Sequence, residues 1–330
     1  MTQDISEDLR LLEDAVTKFA AGHAAEAGMA GPAPDFWPEL VEMGLVGLAL
    51  PEDSGGAGFG ARGALVAGQA LGAQAVPAGF AVDAVYLPAL LDAAGAAEWC
   101  DRMIAGQARI ACHGALLPGS GGEALAFGPD GADVVLLRDG AALRLVPAAE
   151  LSLTWHRMID GRPLARLAPA LAGGLPLTVP AGEAMARALP VALVAAAAET
   201  LGAVERLCEL TLDYLHLRKQ FGRPLASFQS LQFRMVDIAI AREELRALTH
   251  AAAAALDTGA AEGPALAHAA WVQALWSGRQ AAEEAVQLHG AIGMTAECAI
   301  APPVKHVAIN EQLFGGEQVH LERYRALLAA

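Results

Sequence analysis

Arg218-Lys219-Gln220-Phe221-Gly222-Arg223-Pro224-Leu225, with Phe228-Gln229 two residues further on, interrupts two long helical stretches. The loop carries three cations, an aromatic ring and two amides. Arginine and amide groups suit a phosphate or pyrophosphate, and a phenylalanine can stack on a purine or pack beside it. Basic residues after a helix C-terminus also complement its dipole, so spacing alone leaves both roles open. Outward from the loop, one helical piece runs from about 184 to Leu217 and a second from Phe228 to about Leu256. A third runs from Pro264 to about His289. The turn DTGAAEG, 257–263, joins the last two, and Pro264 suits a first helical position. Long antiparallel helices with short connections predict a four-helix bundle. Two shorter helices, about 304–314 and 317–328, flank Gly315-Gly316.

The first hundred residues also read as helices. Leu9, Leu12, Val16, Phe19 and Ala20 form a stripe of helical period, and Asp35 can cap a short helix carrying Phe36, Trp37, Leu40 and Val41. GLVGLALPEDSGGAG, 44–58, holds a turn-rich loop, and helices return at about 61–75, 80–93 and 96–105. From about 108 the texture turns to β. Asp133-Val-Val-Leu-Leu137 and Leu143-Arg-Leu-Val146 flank Asp139-Gly140, a hairpin signal. The expected layout is mainly α with a small central β domain. Residues 1–107 form a helical domain, 108–182 a shortened β domain and 183–330 the helical bundle.

Composition narrows the function. Lys plus Arg is 22 against 37 for Asp plus Glu, a net charge of −15, which argues against nucleic acid or an anionic membrane as partner. The apolar run Ala188–Ala198 is short for a bilayer, and the opening MTQDISEDLR has no apolar signal core, so a cytoplasmic protein is expected. Cysteines at 100, 112, 208 and 298 have no metal or redox spacing and read as reduced thiols. The nine histidines are scattered, so no metal site is expected. Walker, Rossmann and serine-hydrolase patterns are missing. Gln287-Leu-His-Gly-Ala-Ile-Gly293 is a Gly-rich break that either brings backbone close to a ligand or caps a helix.

Three segments in order resemble the acyl-CoA dehydrogenase family of flavoproteins. They are GLVGLALPEDSGGAG at 44–58, RKQFGRPL with FQ at 218–229, and QLHGAIGMTAE at 287–297. The resemblance covers nearly the whole chain. It implies FAD, α,β-dehydrogenation of an acyl-CoA thioester, a tetramer with FAD shared across a subunit interface, and an electron-transfer flavoprotein as acceptor. It places Arg218 on the pyrophosphate of a neighbour's FAD, Gln220, Phe221 and Gln229 on its adenosine half, and Gln287 to Ala291, with Gly290 between, along the ribose.

The sequence departs from the family where the chemistry lies. The family's general base is a glutamate at one of two places. The late position falls on Gly315, or on Phe314 without a gap, and the early one, 26 residues before Arg218, on Ala192. Neither is a base. Glu199 lies two turns beyond Ala192 and reads as a solvated or interface residue. The family threonine near the late position falls on Glu317, the next glutamine on Val319, and a histidine found in some members on Phe233. Of the stretch that grips the isoalloxazine, RIACHGALLPGSGG at 109–122 keeps only Gly119-Ser120-Gly121, as if a strand layer were missing. Two readings follow. The chain is an FAD-dependent acyl-CoA dehydrogenase, alone or within a complex, or it is a catalytically silent subunit that completes the FAD site of a catalytic paralogue in an α2β2 assembly. A flavoprotein of other chemistry on the same fold is a third, weaker reading.

Overall fold

The computed structural model describes residues 7–27, 36–118, 124–168 and 173–329. The Asp35 cap and the Gly119-Ser120-Gly121 loop fall outside them. Helices α1 (Glu7–Ala27), α2 (Phe36–Glu42) and α3 (Gly60–Ala73) are followed by a π-helical turn, Phe80–Tyr86. The turn runs into α4 (Leu87–Ala93), and α5 (Ala97–Ile104) completes the first helical layer.

The β region is richer than the one hairpin legible in the sequence. Strands β1 (Ile110–His113), β2 (Leu125–Phe127), β3 (Val134–Asp139), β4 (Ala142–Pro147), β5 (Leu153–Arg157), β6 (Pro163–Leu167) and β7 (Leu175–Pro176) form one sheet in the order β5-β6-β2-β1-β3-β4-β7. The predicted hairpin is β3–β4, with Asp139 opposite Ala142 and Gly140 at φ +59° in the turn. β1 pairs with β3 in parallel and with β2 antiparallel.

The bundle follows the periodicity closely. Its helices are α6 (Ala181–Leu217), α7 (Gln229–Asp257) and α8 (Gly263–His289), with α9 (Ala301–Phe314) and α10 (Glu317–Leu328) behind them. Between α6 and α7 a small hairpin pairs β8 (Lys219–Gln220) with β9 (Arg223–Pro224). α6 is long and apolar enough to cross a membrane, yet 83% of its most apolar window is buried inside the protein.

The alanine run on α6 has a specific use. Ala192 to Ala198 are all buried, and on the side that faces α3 the two backbones approach so closely that larger side chains do not fit between them: a Cβ on Gly68 would lie 2.8 Å from the Ala195 carbonyl oxygen. A Cβ on Gly72 would lie 2.0 Å from the Glu199 carbonyl oxygen, and one on Gly202 would lie 2.0 Å from the Gln69 carbonyl oxygen. Small residues on both helices allow this contact, which buries the first helical layer on the bundle. The run therefore serves packing within the chain.

Candidate functional site

The 218–229 loop and the end of α8 meet at one end of the bundle, because α6 and α8 run parallel with α7 antiparallel between them. Arg218 leaves the helix in extended conformation, its N–H donating to the Tyr214 carbonyl at 2.9 Å. The β8–β9 hairpin then turns through Phe221 at φ +53° and Gly222 at φ +79°. A left-handed phenylalanine is uncommon, and this one holds its ring in solvent, 89% exposed. Phe228 supports the turn: its ring centroid is 6.2 Å from that of Phe221, edge to face, and the Arg223 guanidinium lies 4.0 Å over it. Tyr214 ties this loop to the other segment. It stacks on His289 at 4.3 Å and its hydroxyl donates to the His289 carbonyl at 3.2 Å.

His289 itself is buried in the last turn of α8. Gly290, at φ +67°, turns the chain outward. Arg218, Gln220, Phe221, Gln229, Gln287, Gly290 and Ala291 are all exposed at this end of the molecule. Arg218, Lys219 and Arg223 take no ion pair among the described residues. Cations and amides displayed on a hairpin without an internal counter-charge fit a phosphate-bearing group arriving from outside. Beside them the outer face of α7 carries Phe233, Val236 and Ile240, all more than half exposed at helical spacing. The three side chains form an exposed apolar stripe along the helix.

Both positions expected for the base are sealed. Ala192 is fully buried. Phe314 is fully buried between Tyr86 and Trp271, with centroids 6.0 and 5.8 Å away. The Gly315 carbonyl accepts a hydrogen bond from Trp271 Nε1 at 2.9 Å. Tyr86 in turn donates to the Leu116 carbonyl at 2.8 Å, which closes the space between α4, α9 and the segment after β1. Glu317 sits at the surface and accepts from Trp276 Nε1 at 2.5 Å.

The expectation for Glu199 is corrected. It is neither solvated nor at an interface but 1% exposed, in a polar network inside the chain. Its carboxylate accepts from the Ala81 N–H at 3.3 Å, and beside it Asn310 Nδ2 donates to Thr200 Oγ1 at 3.4 Å. Arg162 donates to Asp160 Oδ2 at 2.6 Å and to Asn310 Oδ1 at 2.8 Å. Burial outweighs the nearby guanidinium and pushes the Glu199 carboxyl up to about 7. His306, with Nε2 3.9 Å from Glu199, is pushed down to about 3 by burial and stays neutral. This network joins the β5–β6 turn to α6 and α9. Its members are far apart in sequence, and only the Asp160-Gly161-Arg162 turn offered a signal.

Behind the segment after β1 lies a cavity of about 790 Å³, lined by Leu117, Arg138, Met185, Leu189, His268 and His320 among others. His268 Nδ1 and His320 Nδ1 are 2.8 Å apart, and His320 Nε2 is 2.6 Å from the Phe314 carbonyl. A carbonyl only accepts, so His320 carries its proton on Nε2 and accepts from His268 through Nδ1. No carboxylate lines this cavity among the described residues.

Comparison with known proteins now bears on this arrangement. A family model described as acyl-CoA dehydrogenase, C-terminal domain, matches residues 182–328, and one described as the N-terminal domain matches 6–109. Acyl-CoA dehydrogenase IpdE2 of Mycolicibacterium smegmatis is 31% identical over 332 residues, covering 98% of this chain and 99% of that protein. This chain belongs to the acyl-CoA dehydrogenase family. Two solved structures share its fold over their length. The Tcur3481-Tcur3483 steroid ACAD G363A variant aligns with a TM-score of 0.81 at 26% identity, covering 98% of each chain. The ChsE4-ChsE5 complex from Mycobacterium tuberculosis aligns with a TM-score of 0.82 at 22% identity, covering 100% of this chain and 99% of that one. Within this acyl-CoA dehydrogenase fold, the exposed hairpin is present while both expected base positions are filled by packed, uncharged residues.

Proposed function

We propose that this chain is the non-catalytic subunit of a two-subunit FAD-dependent acyl-CoA dehydrogenase, and that it completes the FAD site of a catalytic paralogue. One observation carries the reading: the hairpin is displayed outward, while Ala192, Phe314 and Gly315 leave no room or charge for a base. Arg218 would hold the pyrophosphate. Gln220, Phe221 and Gln229 would line the adenosine half, and Gln287, Gly290 and Ala291 would follow the ribose. When bound, FAD supplies the hydride acceptor for α,β-dehydrogenation of an acyl-CoA thioester. The catalytic glutamate would come from the paralogue. The apolar stripe Phe233, Val236, Ile240 on α7 would be covered in a heterotetramer. Two of the structures sharing this fold are described as paired proteins, Tcur3481-Tcur3483 and ChsE4-ChsE5, and the former as a steroid ACAD. Fatty or steroid side-chain acyl-CoA is therefore the proposed substrate class, and an electron-transfer flavoprotein the acceptor. Four unpaired cysteines support a reducing, cytoplasmic setting.

The test is expression alone and together with any acyl-CoA dehydrogenase paralogue encoded beside it, followed by visible spectrum, mass and dye reduction with short, medium and steroid-like acyl-CoAs. The expected result is a colourless, inactive chain alone and a yellow, active α2β2 complex. In that complex Arg218→Ala lowers flavin content without lowering thermal stability. Turnover by the chain alone at roughly 1–10³ s⁻¹, the ordinary enzymatic range, would overturn the reading.

A further inference from the structure

Two short segments carry most of the residues assigned above to the nucleotide, the β8–β9 hairpin after α6 and the Gly290–Met294 turn after α8. Each is stiff in itself. The hairpin closes on Arg218, whose N–H donates to the Tyr214 carbonyl at 2.9 Å and whose carbonyl accepts from the Leu225 N–H at 2.8 Å. The Arg218 backbone is thus held on both sides while the residue stays exposed. The turn folds back on α8 at Gly293, where a Cβ would lie 2.8 Å from the Val286 carbonyl oxygen. Hairpin and turn are therefore two rigid pieces. A single adenosine diphosphate group that touches both binds well only if their spacing is fixed beforehand.

Tyr214 spans the gap between them. It stands one turn before the end of α6 and is half-buried. Its backbone carbonyl holds Arg218. Its ring lies 4.3 Å from that of His289 at an interplanar angle of 22°, and its hydroxyl donates to the His289 carbonyl at 3.2 Å. His289 is pinned in turn. Its Nδ1 is 2.8 Å from the Ala285 carbonyl, which only accepts, so Nδ1 carries the proton and ties the imidazole to the last turn of α8. One side chain thus bonds the residue before Gly290, while the same residue's backbone bonds the start of the hairpin. The stack fixes the separation of the two helix ends, and the hydroxyl bond fixes the rotation of the ring between them. Arg234 and Glu284 also join α7 to α8, at 2.5 Å, but this pair bonds to neither segment.

We infer that Tyr214 is a positioning residue for the nucleotide: it holds the hairpin and the Gly290 turn at the spacing at which one adenosine diphosphate group bridges them. It acts through Arg218 and His289 rather than by contact with the nucleotide. The inference rests on the FAD reading given above and adds to it the element that makes two separate segments one site.

The test is the flavin dissociation constant of the complex with the paralogue, read from the fluorescence of released FAD. Tyr214→Phe keeps the stack and removes the hydroxyl bond; it weakens flavin about threefold, the order of one neutral hydrogen bond. Tyr214→Leu removes the stack as well and weakens flavin at least about tenfold. A double-mutant cycle separates positioning from general loosening. Arg218→Ala and Gln287→Ala each cost at least about threefold less in the Tyr214→Leu background than in the parent, because contacts on misplaced segments have less to lose. Arg234→Gln, which breaks the neighbouring ion pair, shows no such coupling. Hydrogen exchange of the flavin-free complex gives a second readout. In Tyr214→Leu the amides of residues 219–225 and 290–294 exchange at least about fivefold faster, while those in the middle of α6 and α8 do not change. If Tyr214→Leu does not fold, Tyr214→Phe carries both measurements. Flavin affinity unchanged in the Tyr214 variants, additive effects in the cycle, or the same coupling from Arg234→Gln would each overturn the inference. Arg218→Ala without effect in the parent complex would remove the FAD reading and this inference with it. Arg218→Ala effective but additive with Tyr214→Leu would remove this inference alone.

Discussion

Replacing Glu199 by glutamine removes a charge from the polar network between α6, α9 and the β5–β6 turn while keeping an oxygen for the Ala81 N–H. The carboxyl titrates near 4.5 when unfolded and is pushed up to about 7 in the folded chain, chiefly by burial. The folded state therefore binds the proton more tightly. Its contribution is most favourable below the unfolded value and is lost as pH rises through the window from 4.5 to about 7. Every pH unit across that window is worth about 1.4 kcal/mol, so above it the ionised carboxylate costs about 3 kcal/mol. Glu199→Gln does not bear that penalty. It should gain about 3 kcal/mol over the parent at pH 8 and less than about 1 kcal/mol at pH 5. Urea unfolding followed by far-ultraviolet circular dichroism, at one protein concentration and both pH values, reads the difference. Asp83, raised from 3.8 to about 7, keeps some of the same slope in the variant. A midpoint that moves equally at both pH values, or falls at pH 8, would refute the assignment of Glu199 as a buried carboxyl held against its charge.

Gly202→Ala gains up to about 1 kcal/mol of helix propensity but places a methyl 2.0 Å from the Gln69 carbonyl oxygen; overpacking of about 1–3 kcal/mol or more wins, and the thermal midpoint should fall. Gly182→Ala, on the same helix with nothing within 4 Å of its Cβ, is the control and should not lower the midpoint. Phe221→Ala should leave the fold intact, because the ring is 89% exposed, while reducing flavin retention in the complex; an unchanged flavin spectrum after dialysis would count against its adenosine role. The chain should not sediment as a monomer at micromolar concentration, and Phe233→Glu with Ile240→Glu should shift the mass toward a single chain.

Local pattern alone located the helices. Apolar residues recurring at helical period marked α1, α6, α7 and α8 to within a few residues, because side-chain period and helix geometry are the same fact seen twice. Asp139-Gly140 marked β3–β4 for an equally local reason, a turn that needs a left-handed residue. The Arg218–Gln229 loop stood out because its residue types and their spacing on a short exposed segment are themselves the chemistry. The parallel pairing of β1 with β3 and the short strands β5 to β7 carried no comparable mark, since strand order depends on which distant edges meet. The fate of Glu199 was likewise invisible: in sequence it is one acid on a helix, and its burial is decided by α3 approaching through Gly72 and by Arg162 and Asn310 arriving from other elements. The same holds for the meeting of Tyr214 with His289. Whether a polar group is satisfied, exposed or left over is a property of everything packed around it. That is settled only when the helices and the sheet close on one another.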